Sequence, residues 1–436
     1  MKFNLLVPDP HSPFAYAVIQ CLKKFCDKIY VCPNPGTFFS KISCPSSYSR
    51  YVNQVFFVES PSYDWSRSFY CKNNTEREER FLTQILDICK RKSINLIYPI
   101  SDPSVYLFSK NIQRFKALGI EVPVPEYSKF IFMMDKFAIT SLAEKYGIAC
   151  PKTYLLTEDS FDKIISNLQF PVIIKPRFGL GSIGVHKCAD GKELFAKHKS
   201  CIAKFNEVLV QEYIPSTKMI ATNVYMDKES NPVAHFCYKL ERPDRRVFFV
   251  RMGAHELTGP NKSSYKIIGL LKSFKFHGFA NAQFRVDSRN NTPKFLEMNI
   301  KMSGSTWMEM RLGVNRPLFN YYIYTGKYFT PLEYKYRKGV FFLSPVEDGM
   351  IFLVYLFCWF SKYTLRLCFF YKNNPFDNIP ALKEMINDYK SKYSKKDIEF
   401  NFYFANFIKD PLVSLSAWLF FFYKLITVDF PDSFVE

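Results

Sequence analysis

The chain lacks the short motifs that mark several common classes of protein. Its 12 cysteines include no C-x-x-C pair and show no regular spacing, which argues against a zinc ribbon, a thioredoxin-like centre or a disulfide framework. No G-x-G-x-x-G follows the first predicted strand, so dinucleotide binding there is unsupported. We therefore expect reduced thiols, as in a cytoplasmic protein.

Long apolar runs are also scarce. The N-terminal apolar stretch is broken by Pro8 and Pro10, so it lacks the longer h-region of a signal peptide. The uninterrupted run at 350–360 falls short of the ~20 apolar residues that a membrane-spanning helix needs. These absences predict a protein that stays in the cytosol.

Positive charge, by contrast, is abundant. The 436 residues carry a formal net charge of +19, with a pI of about 9.2. Such a charge predicts an anionic partner, which can be nucleotide phosphates, nucleic acid or an anionic membrane surface. No basic helix or aromatic RNA platform is evident, so nucleic acid ranks last among the three.

The order of predicted strands and helices divides the chain into four blocks, and its length fits about three domains of ~150 residues. The first block alternates strand-like and helix-like stretches, a βαβ pattern that predicts a parallel sheet. The next two blocks carry candidate phosphate and metal ligands, and the last is rich in phenylalanine. We expect a first domain at 1–125, two lobes at 126–215 and 216–335, and a helical extension at 336–436.

Two local predictions concern helix boundaries. Asp102 follows a strand that ends in SD, where a ligand can bind at the carboxyl end of a parallel strand. It can equally cap the helix that begins near Pro103, and the capping interpretation is favoured. A single helix is predicted over 128–146, with Gly147 as its C-cap residue.

A predicted β-hairpin carries the most informative pattern. Alternation over 281–286 and 294–299, with a turn between them, is typical of two paired strands. Glu297 and Asn299 then share one face, and Gln283 opposes them from the partner strand. Three side-chain oxygens converge, which suits Mg²⁺ that takes its other ligands from water and phosphates. The alternative is a solvated polar face on a two-stranded ribbon.

A glycine-rich loop follows another predicted strand. Lys175 ends a β-branched strand, and the loop after it contains Gly179, Gly181, Ser182 and Gly184. Glycines let backbone N–H groups approach phosphate oxygens, and a strand-end lysine supplies a point charge. No G-K-[ST] closes this loop, so it is not a Walker A motif. By itself such a loop is a weak signal.

Together and in this order, these pieces closely resemble the ATP-grasp superfamily over residues 128–328, and best its carbamoyl phosphate synthetase large-subunit-like branch. The resemblance implies an α/β fold with an N-terminal parallel βαβ domain, a two-lobed α+β ATP-grasp domain and a helical, aromatic-rich C-terminal extension. It also implies roles for the matching residues. The nucleotide would be held by Lys136, Lys175, Gly179, Gly181, Ser182, Gly184, Gln211, Glu212, Tyr213 and Ile214, and the metal by Gln283, Glu297 and Asn299.

The chain departs from the family pattern at three places. The Pro-Arg that follows E-x-N in the family is replaced by Ile300 and Lys301, which keeps a cation but not a bidentate clamp. The family's hinge strand, which meets adenine, is matched by residues 211–214 (QEYI), and the acidic residue that usually follows it and holds the ribose is absent, since STKM occupies 216–219. The glycine loop is also trimmed. None of these changes removes a metal ligand, so an active enzyme is favoured over a decayed one.

The resemblance also implies a reaction type. A substrate carboxylate attacks the γ-phosphate of ATP, and an amine then opens the acyl phosphate that forms. The implied cofactors are ATP and one or two Mg²⁺, with Mn²⁺ as an alternative. Lys301 and Arg311 are candidates to steady the acyl phosphate, although a structural salt bridge is the favoured role of Arg311.

The fourth block lies outside the resemblance. Its aromatic runs at 350–360 and 412–428 have basic neighbours, as in helices that lie on an anionic membrane surface, and a buried helical subdomain is the alternative. A polar, lysine-rich helix is predicted between them at 379–393. Two functions therefore stand. One is an ATP-dependent carboxylate–amine ligase acting on an amino acid or envelope precursor at the inner membrane face, and the other is a catalytically silent nucleotide-binding scaffold of a membrane complex.

Overall fold

The computed structural model describes the chain in segments. These are residues 2–12, 14–33, 44–59, 75–157, 161–179, 184–216, 218–240, 255–258, 261–302, 305–311, 315–327 and 339–343, together with 383, 386–387, 390, 394, 398–400 and 410–416. Within them the chain forms three β-sheets with helices packed on their faces, which confirms the predicted α/β class. The nine cysteines in these segments are free thiols, as expected.

The N-terminal domain is built on a parallel sheet. Its elements are β1 (Phe3–Val7), α1 (Ala15–Leu22), β2 (Cys26–Val31), β3 (Gln54–Val55), α2 (Thr75–Lys92), β4 (Leu96–Ile97), α3 (Asp102–Lys110) and α4 (Ile112–Lys116). The strand order is β3-β2-β1-β4, and every pairing is parallel. Leu5 and Val7 pack toward α1 while Leu6 packs toward α2, so the apolar run of β1 is covered on both faces.

The helix after β4 begins at Asp102, one residue before the start that was predicted near Pro103. The hydroxyl of Ser101 accepts from the Ser104 N–H at 3.5 Å, so Ser101 is the N-cap of α3. The prediction that Asp102 caps this helix is therefore wrong. Asp102 is the first residue of α3, its carboxylate is buried, and it forms an ion pair with Lys301 of the following domain.

The single helix predicted over 128–146 is in fact two, α5 (Tyr127–Met134) and α6 (Lys136–Lys145). Asp135 between them has a non-helical ψ of 99°, and its side chain accepts from the N–H groups of Phe137 and Ala138 at 3.0 and 3.1 Å. Because the Asp135 side chain caps the helix that follows, it ends the preceding helix, which would otherwise continue. Lys136 is thereby placed at the start of a helix rather than in its middle.

The next lobe is a four-stranded antiparallel sheet. It contains β5 (Thr153–Leu156), α7 (Phe161–Ile165), β6 (Val172–Pro176), β7 (His186–Cys188), α8 (Gly191–Phe205) and β8 (Val208–Glu212). The strand order is β5-β8-β6-β7. Val172 and Ile174 of β6 pack with Leu194 of α8 in one apolar core, which leaves Lys175 to face the other way.

The largest sheet has seven strands. Its elements are β9 (Met219–Met226), β10 (Pro232–Leu240), β11 (His255–Thr258), α9 (Lys262–Ser273), β12 (Gly278–Val286), β13 (Pro293–Asn299), α10 (Thr306–Arg311), α11 (Arg316–Thr325), β14 (Phe341–Leu343) and β15 (Ile398–Phe400). The order is β13-β12-β9-β10-β11-β14-β15, antiparallel except for the last pair. One face packs with α5, α6 and α9, and the other with α10 and α11.

Most of the predicted C-terminal helices lie outside the described residues. This applies to the runs at 350–360, to most of 379–393 and to the end of 412–428. Residues 411–416 are helical, and the preceding Asp410 accepts a hydrogen bond from Ser49 at 2.8 Å in the N-terminal domain. Among the helices that the structure describes, none has the length and apolar character needed to cross a membrane.

A buried ion pair lies beneath the largest sheet. Arg316 and Glu309 are fully buried, and an Arg316 Nη1 lies 3.6 Å from a Glu309 carboxylate oxygen. Asn223 donates to the same carboxylate at 2.6 Å, and Tyr225 donates to its other oxygen. Arg316 also donates to the main-chain carbonyl of Lys301 at 2.8 Å, so the pair ties the segment after β13 to the helices below it.

Removing one member of this pair should be costly. Arg316→Met leaves the Glu309 carboxylate buried without its cation, so we expect a loss of ~3–5 kcal/mol in the free energy of unfolding, measured by urea denaturation. Arg80→Met is the matched control, because Arg80 pairs with Glu76 on an exposed helix surface, and it should cost less than ~1 kcal/mol. Equal losses in the two variants would contradict a stabilising role for the buried pair.

Candidate nucleotide and metal site

The predicted hairpin is present, and its register brings the proposed metal ligands together. Gln283 of β12 is the direct partner of Glu297 on β13, and Asn281 is the partner of Asn299. The side chains of Gln283, Glu297 and Asn299 are each partly buried. Sequence alternation therefore predicted the hairpin and the proximity of these three residues.

A β-bulge in β13, which was not predicted from the sequence, places Glu297 on the face opposite to Phe295. The ladder passes from the Gln283–Glu297 pair directly to Phe284–Phe295, so Leu296 is an extra residue on β13. In a regular strand Phe295 and Glu297 would share a face. With the bulge, Phe295 and Met298 are buried in the core below the sheet while Glu297 is turned to the opposite face.

The oxygens of Gln283, Glu297 and Asn299 suit a metal ion that is also bound by nucleotide phosphates. Asn299 Nδ2 donates to Glu297 Oε1 at 3.3 Å, and Gln283 Nε2 donates to Asn281 Oδ1 at 3.1 Å, so the amide oxygens of Gln283 and Asn299 are left as acceptors. Glu297 is the one carboxylate of the three. Among the residues described here, no group of three or more His, Cys, Asp and Glu side chains is placed to hold a metal ion. A cation on this patch would need further oxygens, which a triphosphate and water can provide.

Lys136 reaches this region from the start of α6. Its side chain is buried, and Nζ donates to the carbonyl of Gly179 at 2.8 Å. Burial lowers the pKa of Lys136, and the negative charges of Glu297 and Asp135 oppose that shift. Lys136 is thus an enclosed charge near the candidate metal ligands.

Lys175 is a second enclosed charge. It lies near the end of β6, and its Nζ donates to Gln211 Oε1 of β8 at 2.9 Å. Burial and the charge of Lys136 together lower the pKa of Lys175 to about 8, while Glu297 opposes the shift. Two buried ammonium groups therefore share one carboxylate, an arrangement that favours binding of further negative charge.

Arg177 fixes the relative position of the two lysines, and sequence reasoning gave it no role. Its guanidinium makes a bidentate pair with Asp135, at 3.0 Å from Nε and 2.6 Å from Nη2, and its Nη1 contacts Glu207 at 2.8 Å. Its main-chain carbonyl accepts from the Lys136 N–H at 3.2 Å. The residue that caps α6 is thus clamped to the end of β6. Arg177 follows Lys175 by two residues in the KPR sequence, which gives no sign of its partner Asp135 forty-two residues earlier.

The glycine loop is described only at its two ends. Gly181 and Ser182 lie outside the described residues, whereas Gly179 supplies the carbonyl that binds Lys136. Gly184 has a φ of +74°, and a Cβ there would lie 2.4 Å from the ring of Phe205. Only glycine meets both conditions without displacement of its neighbours.

The predicted hinge strand is held by the turn of the metal hairpin. Glu212 accepts from Arg289 at 2.6 Å, and the same guanidinium group binds Asp287 at 2.6 Å. The main-chain N–H of Ser288 donates to Pro215 just beyond the hinge at 2.9 Å. Asp287 and Arg289 were not identified from the sequence, where they appear as ordinary turn residues. They connect the hinge to the strand that carries Glu297.

The remaining hinge and candidate catalytic residues lie near this arrangement. Ile214 is buried, and Lys187 Nζ lies 4.9 Å from the ring centroid of Tyr213. Lys301 follows Asn299 by two residues and forms its ion pair with Asp102. Arg311 is exposed at the C-terminal end of α10.

Comparisons with known proteins agree with this geometry. Residues 135–314 match the family model of the carbamoyl-phosphate synthase L chain ATP-binding domain, and residues 60–123 match the PylC-like N-terminal domain. Residues 135–314 therefore carry an ATP-grasp domain, as the motifs in this segment predicted. The biotin carboxylase domain of the Hydrogenobacter thermophilus 2-oxoglutarate carboxylase, solved with MgADP and bicarbonate, has the same fold. Its TM-score is 0.59 at 16% identity, over 78% of this chain and 74% of that one.

Curated relatives narrow the class of enzyme. A D-aspartate ligase from Enterococcus faecium is 23% identical over 304 residues, which is 63% of this chain and 67% of the relative. A D-alanine–D-alanine ligase from Petrotoga mobilis is 28% identical over 170 residues, 38% of this chain and 55% of the relative. The prediction of an ATP-grasp ligase that forms C–N bonds is confirmed at the level of class.

The pKa of Lys175 gives a testable pH dependence. Its ammonium is charged below pH about 8 and loses its proton as the pH rises through that value, so phosphate binding should weaken above it. We expect MgATP affinity, measured by calorimetry, to fall by up to ~tenfold per pH unit above 8. In Lys175→Arg the guanidinium stays charged, and the decline should be flatter. Identical pH profiles for the two proteins would show that Lys175 does not set the dependence.

Proposed function

We propose that the protein activates a carboxylate with ATP and joins it to an amine, with an amino acid or an amino-acid-bearing envelope precursor as substrate. The observation that carries this proposal is the convergence of Lys136, Lys175 and Glu297 between the two lobes. Phosphoryl transfer needs neutralised charge and in-line positioning rather than an enzyme nucleophile. The site contains groups suited to both tasks.

Each residue of the site has a distinct task in this proposal. Lys136 and Lys175 neutralise phosphate oxygens of ATP, and the backbone of the hinge segment 211–214 binds adenine. Gln283, Glu297 and Asn299 would hold Mg²⁺, which when bound neutralises charge on the phosphates. Lys301 steadies the acyl phosphate from the end of the metal strand, where Asp102 fixes its ammonium group. The role of Arg311 stays a prediction.

The relatives direct the search for substrates. The proteins named D-aspartate ligase and D-alanine–D-alanine ligase suggest that an amino acid supplies the carboxylate. ADP release from MgATP should therefore be screened against pools of D- and L-amino acids, each with and without envelope-type amine acceptors. A pool that stimulates ADP release supports the ligase. Binding of MgATP without stimulation by any pool supports the silent scaffold instead.

The metal patch gives the sharpest mutational test of this function. Glu297→Gln removes the one carboxylate from the donor set, so substrate-dependent ADP formation should fall by orders of magnitude while circular dichroism shows an intact fold. Glu229→Gln, on an exposed turn, is the matched control and should retain activity. An active Glu297→Gln enzyme would exclude this patch as the metal site.

Attachment to an anionic membrane surface is a separate part of the proposal. The described helix at 411–416 exposes Leu412 and Leu415 at the beginning of the second aromatic run. Short apolar faces next to basic residues bind anionic interfaces. Cytoplasmic location and this attachment both stay predictions.

Liposome flotation tests the attachment. The full-length chain should float with vesicles that contain anionic lipid and should float less with neutral vesicles, because basic residues contribute ~1 kcal/mol each near a charged surface. Leu412→Gln/Leu415→Gln should weaken flotation without loss of MgATP binding. Truncation is a poorer test, because Asp410 and β15 contact the rest of the protein. Wild-type protein that stays at the bottom of the gradient would end this part of the proposal.

A further inference from the structure

A short chain of hydrogen bonds runs behind Lys175. Lys175 Nζ donates to Gln211 Oε1 at 2.9 Å, and Gln211 Nε2 donates to Thr153 Oγ1 at 2.7 Å. The Thr153 hydroxyl in turn donates to the main-chain carbonyl of Pro151 at 2.8 Å. The first of these contacts is buried, and Gln211 itself is 3% exposed.

The direction of donation along these hydrogen bonds is fixed by the last acceptor, the main-chain carbonyl of Pro151. A carbonyl oxygen only accepts, so the single proton of the Thr153 hydroxyl is used toward Pro151. Thr153 must then accept from its other neighbour, which places the NH₂ group of Gln211 toward Thr153 and its oxygen toward Lys175. A glutamate has no N–H to give. It would face the lone pairs of Thr153 unless that hydroxyl turned away from Pro151.

A neutral partner has an electrostatic consequence for Lys175. Glutamine supplies the acceptor that orients the ammonium without cancelling its charge, whereas a glutamate at the same distance would pair with it. The charged groups that act on Lys175 are Lys136, of the same sign, and Glu297, which lies on the metal patch. The positive charge of the two lysines therefore remains available to an anionic ligand.

We propose that Gln211 is a positioning residue that sets affinity for nucleotide phosphates by holding Lys175 in place without adding a negative charge beside it. This role goes beyond the backbone contact with adenine expected for the hinge strand. It rests on the proposed function only in requiring that MgATP binds between the lobes. The choice of glutamine over glutamate, fixed by Thr153 and Pro151, is then a determinant of nucleotide affinity.

Calorimetric titration of the full-length chain with MgATP tests this role. Gln211→Glu is nearly isosteric and should weaken MgATP binding by about tenfold or more at pH 7.5, because the new carboxylate pairs with Lys175. Gln211→Met loses the acceptor but adds no charge, so it should weaken binding less than the glutamate variant. Gln113→Glu adds the same charge at an exposed position and should bind within about twofold of wild type.

A pH series separates this role from a purely structural one. The carboxylate in Gln211→Glu favours the charged form of Lys175, so the decline of affinity above pH 8 should move to higher pH. A change in packing alone would not move that profile. Wild-type affinity in Gln211→Glu, or in Gln211→Met if the glutamate variant does not fold, would overturn the inference and leave the ligase proposal intact. Failure of wild-type protein to bind MgATP would overturn both.

Discussion

The site depends on the burial of two like charges beside a single carboxylate. Lys136 and Lys175 are both enclosed by protein, and Glu297 is the one negative group that acts on both of them. A buried charge without full compensation is costly, and the protein meets part of that cost with the Gly179 carbonyl and the Gln211 amide. Neutral acceptors orient the ammonium groups but leave their charge in place. Two such charges favour the binding of an anion.

Carboxylate–arginine contacts between different elements keep this arrangement in register. Asp135 caps α6 and binds Arg177 at the end of β6, so the two lysines are fixed relative to each other. Glu212 and Asp287 share Arg289, so the hinge and the metal hairpin are connected in the same way. A bidentate guanidinium fixes orientation as well as distance. The lobes can thus hold groups that are distant in sequence within a common site.

The sequence was informative where the signal is local. Alternation of side chains predicted the hairpin that carries Gln283, Glu297 and Asn299. It failed where a neighbour distant in the chain decides the outcome. The Leu296 bulge accompanies the burial of Phe295 and Met298 in the core, and Asp102 pairs with Lys301, which is distant in the chain. Asp135 shows a local failure, because a capping aspartate and a solvent-facing helical aspartate look alike in an apolar pattern.

The Glu309–Arg316 pair bears on where the ATP-grasp domain ends. The family match stops at residue 314, yet the cation that compensates Glu309 is Arg316, two residues farther on. A recombinant fragment cut at the family boundary would retain the buried carboxylate and lose its partner. It would also lose β14 and β15, which cover the edge of β11, and so expose a row of unpaired backbone groups. We therefore expect a stable fragment to extend beyond residue 314, where the family match ends.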